Sequence, residues 1–413
     1  MNTLTRYKEI ESFLFSQLPM FQRVGPKAFK KDLKNIQFLM QYLGHPERDF
    51  KSIHIAGTNG KGSTAFFISQ FLSALGYKAG LYTSPHYRDY RERIRYNKTL
   101  IPKTFVKTFV NKLIEDNILE SELKPSFFEI TVAMAFLYFK QVQPDYALIE
   151  TGLGGRLDST NVIVPEVSTI TNIGFDHMNF LGDTLALIAG EKAGIIKENV
   201  PVVIGKTQAE TRPVFEKRAQ ELNCPVIFAD ALPRVKLLDR LAAQFPAYQH
   251  ENLYTAYYTV KTLHKNFKLT TSIIDDFKIG LSDWGFIGRY TRREGPPQVI
   301  CDSAHNKEGI ESLMQSVEKE EYDKLHIVLA VVNDKAMDDI WPLYPQDATY
   351  YFSQARIPRA MNKDKLAREA RKAGLRGKVY SGIPGALAAA KARAKENDLV
   401  LVTGSIFTVA EVI

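Results

Sequence analysis

The stretch Ser52-Ile53-His54-Ile55-Ala56-Gly57-Thr58-Asn59-Gly60-Lys61-Gly62-Ser63-Thr64 decides the fold. Ser52–Ala56 reads as a strand. A glycine-rich turn follows at once, and then a helix over about 63–75, whose Phe67, Ile68, Phe71, Leu72 and Leu75 recur at helical spacing. Gly76 ends it. A glycine-rich turn between strand and helix lets backbone N–H groups converge on an anion at the positive end of the helix dipole. Lys61 can reach the terminal phosphates of a nucleoside triphosphate, and Ser63 or Thr64 can face phosphate or its Mg²⁺. The spacing departs from G-x-x-x-x-G-K-[ST], because Gly62 separates Lys61 from Ser63. The bland alternative is a turn with an incidental lysine.

Outward from this turn, Ala79–Tyr82, Tyr146–Glu150, 167–172 and 200–204 are short apolar runs between helical or loop segments. Such runs predict parallel strands covered on both faces. The pattern restarts at 299–302, 327–331, Thr349–Phe352, 378–380 and 399–402, with helices at 362–373 and 385–395. The fold class is therefore α/β: an N-terminal ATPase-type parallel-sheet domain, 1–285, and a smaller Rossmann-like domain, 286–413. The boundary is expected at 282–288, where Trp284, Gly285 and Gly288 interrupt the pattern, with Gly288 as hinge. A cleft between two such domains is a favoured ligand site. Residues 5–44 read as helical with a break at Gly25-Pro26.

Composition narrows the class. The chain has 413 residues, 45% apolar and 24% charged, which suits a folded globular protein and argues against disorder. Lys plus Arg is 54 against 46 for Asp plus Glu, a net charge of +8 that suits anionic ligands. Two cysteines, Cys224 and Cys301, build no disulfide framework. The charged first residues and the short apolar stretch at 130–139 predict no signal peptide and no membrane span, hence a cytoplasmic location.

Polar residues recur where the strands end. Ser84 follows the second strand, Glu150 closes Tyr146–Glu150, and Asp176-His177 follows the next. Carboxylate, hydroxyl and water suit a hard cation such as Mg²⁺, and Ser84, Glu150 and His177 can supply them. Singly, each is more ordinary: a solvated carboxylate, a turn serine, a structural histidine.

Taken in order, GTNGKGST at 57–64, TSPH at 83–86, ETGLGGRLDSTN at 150–161, Asp176-His177, GEKAGI at 190–195, Gly288-Arg289, DSAHN at 302–306, Asp334-Lys335, Pro358-Arg359 and TGSIFTVAEV at 403–412 resemble the Mur-ligase superfamily, and within it the folylpolyglutamate synthase/dihydrofolate synthase family. The resemblance covers nearly the whole chain. It implies ATP on Asn59, Gly60, Lys61, Gly62 and Ser63, with Asn252, Arg289 and Asp302 from the second domain closing over the nucleotide. It implies Mg²⁺ at Ser84, Glu150 and His177. Lys192 matches a carbamylated lysine, where CO₂ turns an amine into an oxygen ligand for a second Mg²⁺. The rival for Lys192 is a surface pair with Glu191. Ser126, Phe127, Phe128, Glu129, Arg156, Leu157 and Asp158 match pteroate-binding positions, one of the two phenylalanines being a contender for the core. His305 and Ser405 match the amino-acid side; Lys61, Lys192, His177 and His305 would be the catalytic set. The family's H-Q-x-x-N reads Tyr248-Gln249-His250-Glu251-Asn252 here, and its HNP reads His305-Asn306-Lys307.

The implied reaction is ATP-dependent ligation of L-glutamate to dihydropteroate, to reduced folates, or to both, through an acyl phosphate, by a monomer with no nucleic-acid or membrane partner. Folylpolyglutamate synthesis alone is the alternative. A UDP-muramyl amino-acid ligase would need a UDP-binding domain ahead of Gly57, where there is little room. A nucleic-acid-stimulated ATPase would use the basic stretch 87–95 (YRDYRERIR).

Overall fold

The computed structural model describes residues 4–19, 32–121, 123–284, 286–293, 295–333 and 337–413, without the side chains of 281–284. Gly25-Pro26, Gly285 and Asp334-Lys335 lie outside these, as does the side chain of Trp284. The chain divides into two compact units, Met1–Phe245 with Gln249–Trp284, and Pro246–Tyr248 with Gly285–Ile413.

The first unit is built on β1 (Ser52–Ala56). Its five residues are all buried, so it can only be a central strand. It pairs in parallel with β5 (Tyr146–Glu150) on one side and β6 (Val167–Ile170) on the other. With β2 (Ala79–Tyr82), β3 (Ile94–Tyr96), β4 (Thr99–Leu100), β7 (Val202–Ile204) and β8 (Val226–Phe228), the order is β4-β3-β2-β5-β1-β6-β7-β8. The chain leaves β1 for β2, returns to insert β5 between them, then continues at β6 on the far side. The reversal lies at β1, the place where open α/β sheets bind ligands. The register sets Ile55 beside Glu150, Ala56 beside Ile170 and Tyr82 beside Ile149. The segments that follow β1, β2, β5 and β6 therefore emerge along one sheet edge.

The sheet is mixed rather than wholly parallel, because β3 runs antiparallel to β2 and β4 antiparallel to β3. Helix Lys61–Ala74 is buried over most of its length. Helix Phe127–Val142 packs Ile130, Ala133, Phe136 and Phe139 into the main core. Phe139 is fully buried and lies so close to β2 that a Cβ on Gly80 would come within 2.8 Å of its ring. Phe139→Ala is expected to cost about 3–5 kcal/mol, because it empties a fully buried site packed against β2. Thermal denaturation should register a midpoint lower by about 10 °C.

The second unit has β9 (Thr291–Arg293), β10 (Gln298–Cys301), β11 (Leu325–Leu329), β12 (Thr349–Phe352), β13 (Gly377–Val379) and β14 (Leu399–Thr403) in the order β13-β12-β11-β14-β10-β9. All neighbours are parallel except β9, which runs against β10. Helices Lys363–Lys372 and Ile383–Arg393 are the two expected from the sequence, each within two residues of its expected ends. The α/β class expected for both halves is the class observed.

Candidate active site

The turn after β1 is held by the end of β6. The Thr58 N–H donates to Asn172 O (2.9 Å), the Asn59 N–H to Asn172 Oδ1 (2.9 Å), and the Thr171 hydroxyl to Asn59 O (2.6 Å). Thr171 and Asn172 were not singled out from the sequence; their position just past a buried strand is the only signal there. Two glycines are required by space as well as conformation. Gly57 has φ +150°, and a Cβ there would sit 1.8 Å from Thr171 Oγ1; Gly60 has φ +81°, with Asn252 Oδ1 at 2.0 Å. Gly60→Ala is expected to lower nucleotide affinity at least about tenfold through strain and the clash with Asn252. Equilibrium binding of an ATP analogue checks this.

Because Gly60 turns the chain, the helix begins at Lys61, two residues earlier than its hydrophobic period indicates. The Lys61 ammonium donates to Gly57 O (3.0 Å) and Thr58 O (3.1 Å). Lys192 reaches the same carbonyl, its Nζ 2.9 Å from Gly57 O. Two lysine side chains thus share one acceptor at a helix N-terminus. Burial, and then the Lys61 charge, pull the Lys192 pKa down to about 7. Lys192 is only 4% exposed, and Glu191 pairs instead with Arg156 (2.8 Å), so Lys192 is no surface partner of Glu191. Ser63 is buried and accepts from Gln249 Nε2 (3.2 Å), and Gln249 Oε1 accepts from Asn252 Nδ2 (2.8 Å). Asn252 belongs to the first unit, against Gly60, not to the second as expected.

Glu150, 4% exposed, ends β5 and accepts the Ser84 N–H at Oε2 (3.0 Å). Its carboxylate also lies 3.4 Å from where a Cβ on Gly62 would stand, so the phosphate turn, Ser84 and Glu150 form one cluster. His177 has φ 52° and opens the short helix Met178–Leu181 beside Asp176, whose Oδ1 accepts its N–H (2.9 Å). Among the described residues no group of three or more His, Cys, Asp or Glu stands ready for a metal. The donor set of carboxylate, hydroxyl and imidazole still fits a hard cation completed by water and phosphate. At the same edge the buried hydroxyls of Thr64 and Thr151 have no hydrogen-bond partner among the described residues.

The pteroate-matching residues divide. Phe127, 3% exposed, is in the core, stacked on Phe15 (5.4 Å between centroids) and under the Arg93 guanidinium; it offers no open ring. Ser126 and Glu129 form a capping box: the Ser126 N–H donates to Glu129 Oε2 (2.6 Å) and the Glu129 N–H to Ser126 Oγ (3.3 Å). Asn35 Nδ2 donates to the same carboxylate oxygen (3.0 Å). These hydrogen bonds cap the start of the helix. Phe128 is half-buried against the backbone at Gly152, with a Cβ there only 2.5 Å from its ring. Asp158 is buried and accepts from Gly152 N and Leu153 N (2.8 Å each), so it folds its own loop. Arg156 is exposed and Leu157 partly so.

In the second unit, Asp302 is buried and accepts the Tyr248 hydroxyl (2.5 Å), the Tyr290 N–H (2.7 Å) and the Ala304 N–H (2.8 Å). Arg289 donates to Gly288 O (3.2 Å) and to the Ser303 hydroxyl. His305 Nδ1 lies 3.0 Å from Ser303 O. Ser405 is buried as the cap of helix Ile406–Ala410, with Oγ 2.7 Å from Thr408 Oγ1 and accepting Thr408 N–H (3.1 Å), so its hydroxyl is already engaged.

Comparison with known proteins agrees in extent. Residues 55–279 match the Mur ligase middle domain, and 288–406 the Mur ligase glutamate ligase domain. The chain is 32% identical to the dihydrofolate synthase/folylpolyglutamate synthase of Bacillus subtilis (strain 168) over 436 aligned positions, 99% of this chain and 98% of that protein. Its fold is similar to the Mycobacterium tuberculosis folylpolyglutamate synthase complexed with ADP, with TM-score 0.85 and 28% identity over 98% of this chain and 97% of the other. It is likewise similar to Escherichia coli FolC in complex with DHPP and ADP, with TM-score 0.83 and 26% identity over 100% and 98%. Family models that match 55–279 and 288–406, and a relative 32% identical over nearly the whole of both chains, place the chain in the dihydrofolate synthase/folylpolyglutamate synthase family of Mur-type, ATP-dependent ligases.

Proposed function

We propose that this chain joins L-glutamate to dihydropteroate and to reduced folates at the expense of ATP. The observation that carries the reading is the pairing of Lys61 and Lys192 on Gly57 O beside buried Glu150. Lys61 brings a positive charge to the helix N-terminus, where a terminal phosphoryl group would lie, and Lys192 sets a second amine on the same carbonyl. A carboxylate is a poor electrophile. An acceptor carboxylate oxygen attacks the γ-phosphorus of ATP, the bond to the bridging oxygen breaks, and ADP leaves with its electron pair. The uncharged amine of L-glutamate then attacks the acyl carbon, phosphate departs, and the amide forms with loss of a proton. Lys61 stabilises charge spreading over the phosphoryl oxygens. Exclusion of water matters because the acyl phosphate hydrolyses.

Divalent cations, two by the resemblance, supply charge neutralisation when bound; Ser84, Glu150 and His177 would hold one, and a Lys192 carbamate would serve the other. The buried, readily deprotonated Lys192 amine is the form that adds CO₂, releasing a proton. Arg289 and Asp302 are assigned to phosphate and ribose. Ribose binding requires Asp302 to share or exchange the Tyr248 hydroxyl it now accepts. Phe128, Arg156 and Leu157 are the residues left for the pterin acceptor, and His305 for the glutamate side.

Product analysis with dihydropteroate and tetrahydrofolate offered separately tests this. Glutamylated products from both are expected. Product from tetrahydrofolate alone reduces the activity to polyglutamate synthesis; turnover only with a UDP-muramyl acceptor overturns the reading. Among the described residues no helix is long and apolar enough to cross a membrane, and the substrates alone are assigned as partners.

A further inference from the structure

His54 lies in the middle of β1, fully buried, and takes no part in the chemistry above. Its Nε2 is 2.8 Å from Thr160 Oγ1. Thr160 in turn meets Asp158 Oδ1 with both its hydroxyl (2.5 Å) and its N–H (3.0 Å). Asp158 Oδ2 takes the amides of Gly152 and Leu153. A carboxylate surrounded by three amides acts as an acceptor, so the single Thr160 proton goes to Asp158. The Thr160 oxygen must then accept, and the His54 proton sits on Nε2. Nδ1 is left as a buried nitrogen with no hydrogen-bond partner among the described residues. Burial, with Lys197 nearby, holds the ring uncharged. Carrying one unsatisfied acceptor in a strand core is costly; what it secures is a directed donor to Thr160.

The loop so fixed carries Arg156 and Leu157, assigned above to the pterin acceptor. Gly152 lies on the Phe128 ring. The Arg156 N–H donates to Glu191 O (2.7 Å), and Asn161 Nδ2 bridges Arg156 O and Gly194 O (3.0 Å each), so the loop is fastened to the helix that bears Lys192. We propose that His54 is a positioning residue: through the Thr160 hydroxyl and the Asp158 carboxylate it fixes the 152–161 loop against Phe128 and so sets affinity for the pterin acceptor. The inference rests on the function proposed above for its substrate, but not for the relay itself.

Three variants and one spectrum test it. His54→Leu should raise KM for the pterin acid about tenfold, the scale of one lost buried hydrogen bond. KM for ATP should stay within about twofold, because the phosphate turn hangs from Thr171 and Asn172 instead. The melting temperature should not fall, since the bare Nδ1 goes too. His54→Gln, which restores a donor near Nε2, should recover most of the loss. Thr160→Val breaks the same link without touching β1 and should reproduce the leucine phenotype. Nitrogen NMR should show His54 with its proton on Nε2. An unchanged acceptor KM in both His54→Leu and Thr160→Val overturns the proposal, as does a proton on Nδ1. So does a joint rise in both KM values with a lowered melting temperature and no rescue by glutamine, the mark of a merely structural residue. Should the parent protein make no amide on any pterin acid, the acceptor claim falls with the proposed function. Hydrogen exchange at the Gly152 and Leu153 amides then decides the relay: faster in His54→Leu supports it, unchanged overturns it.

Discussion

Lys61→Ala is expected to lower turnover by about a thousandfold, with the fold intact. Its ammonium sits at the first position of a helix on two backbone carbonyls of the turn, so the alanine variant forgoes only the hydrogen bonds of a partly exposed side chain. In the reaction the same charge faces phosphoryl oxygens whose negative charge grows toward the transition state. Removing it therefore weighs more on kcat than on binding of either substrate. Steady-state kinetics with far-UV circular dichroism check this. Turnover within tenfold of the parent, in a folded variant, would end the phosphate role of Lys61.

Lys192→Ala should cost about a hundredfold or more, and short carboxylic acids should restore part of it by supplying the oxygens the carbamate would carry. This side chain is buried and reaches the turn from the far helix Leu185–Ala193. The pH dependence has a definite sign. Below its folded pKa of about 7 the amine is protonated and cannot add CO₂; above it the neutral amine predominates. Carbamate occupancy, and activity that depends on added bicarbonate, should rise as pH climbs through about 7. Stability runs the same way. The folded pKa lies below the unfolded value of 10.5, so the burial penalty is full below about 7 and shrinks as pH rises between the two. Mass spectrometry of native protein at high and low bicarbonate reads the modification. An active, bicarbonate-supplied sample with an unmodified Lys192 contradicts the carbamate role.

The central strand, its turn and the parallel character of the sheet were legible because Ile53, Ile55 and Ala56 make β1 a short apolar run that is followed at once by Gly57, and other such runs recur between helices; the strand order was not. The edges were not. Ile94–Tyr96 and Thr99–Leu100 are short, and their antiparallel pairing depends on a tight return at Asn97, with φ 52°, rather than on any hydrophobic period. At the site, strand register carries Glu150 to the same edge as the turn, which the end of its apolar run already indicated. Side-chain direction was harder to read. Ser126-Phe127-Phe128-Glu129 carries the S-x-x-E signature of a capping box, and the folded chain forms that box. Asp158 and Ser405 are spent on loop and helix ends by hydrogen bonds that only the folded chain brings together. The Tyr248–Asp302 bond likewise links positions far apart in sequence.

The most direct measurement of the central claim follows one oxygen atom. Dihydropteroate labelled with heavy oxygen in its carboxylate is turned over with ATP, magnesium and L-glutamate, and the released phosphate is weighed by mass spectrometry. Activation through an acyl phosphate carries one labelled oxygen into each phosphate, in step with ADP and the new amide. Amide formed with unlabelled phosphate would contradict the account.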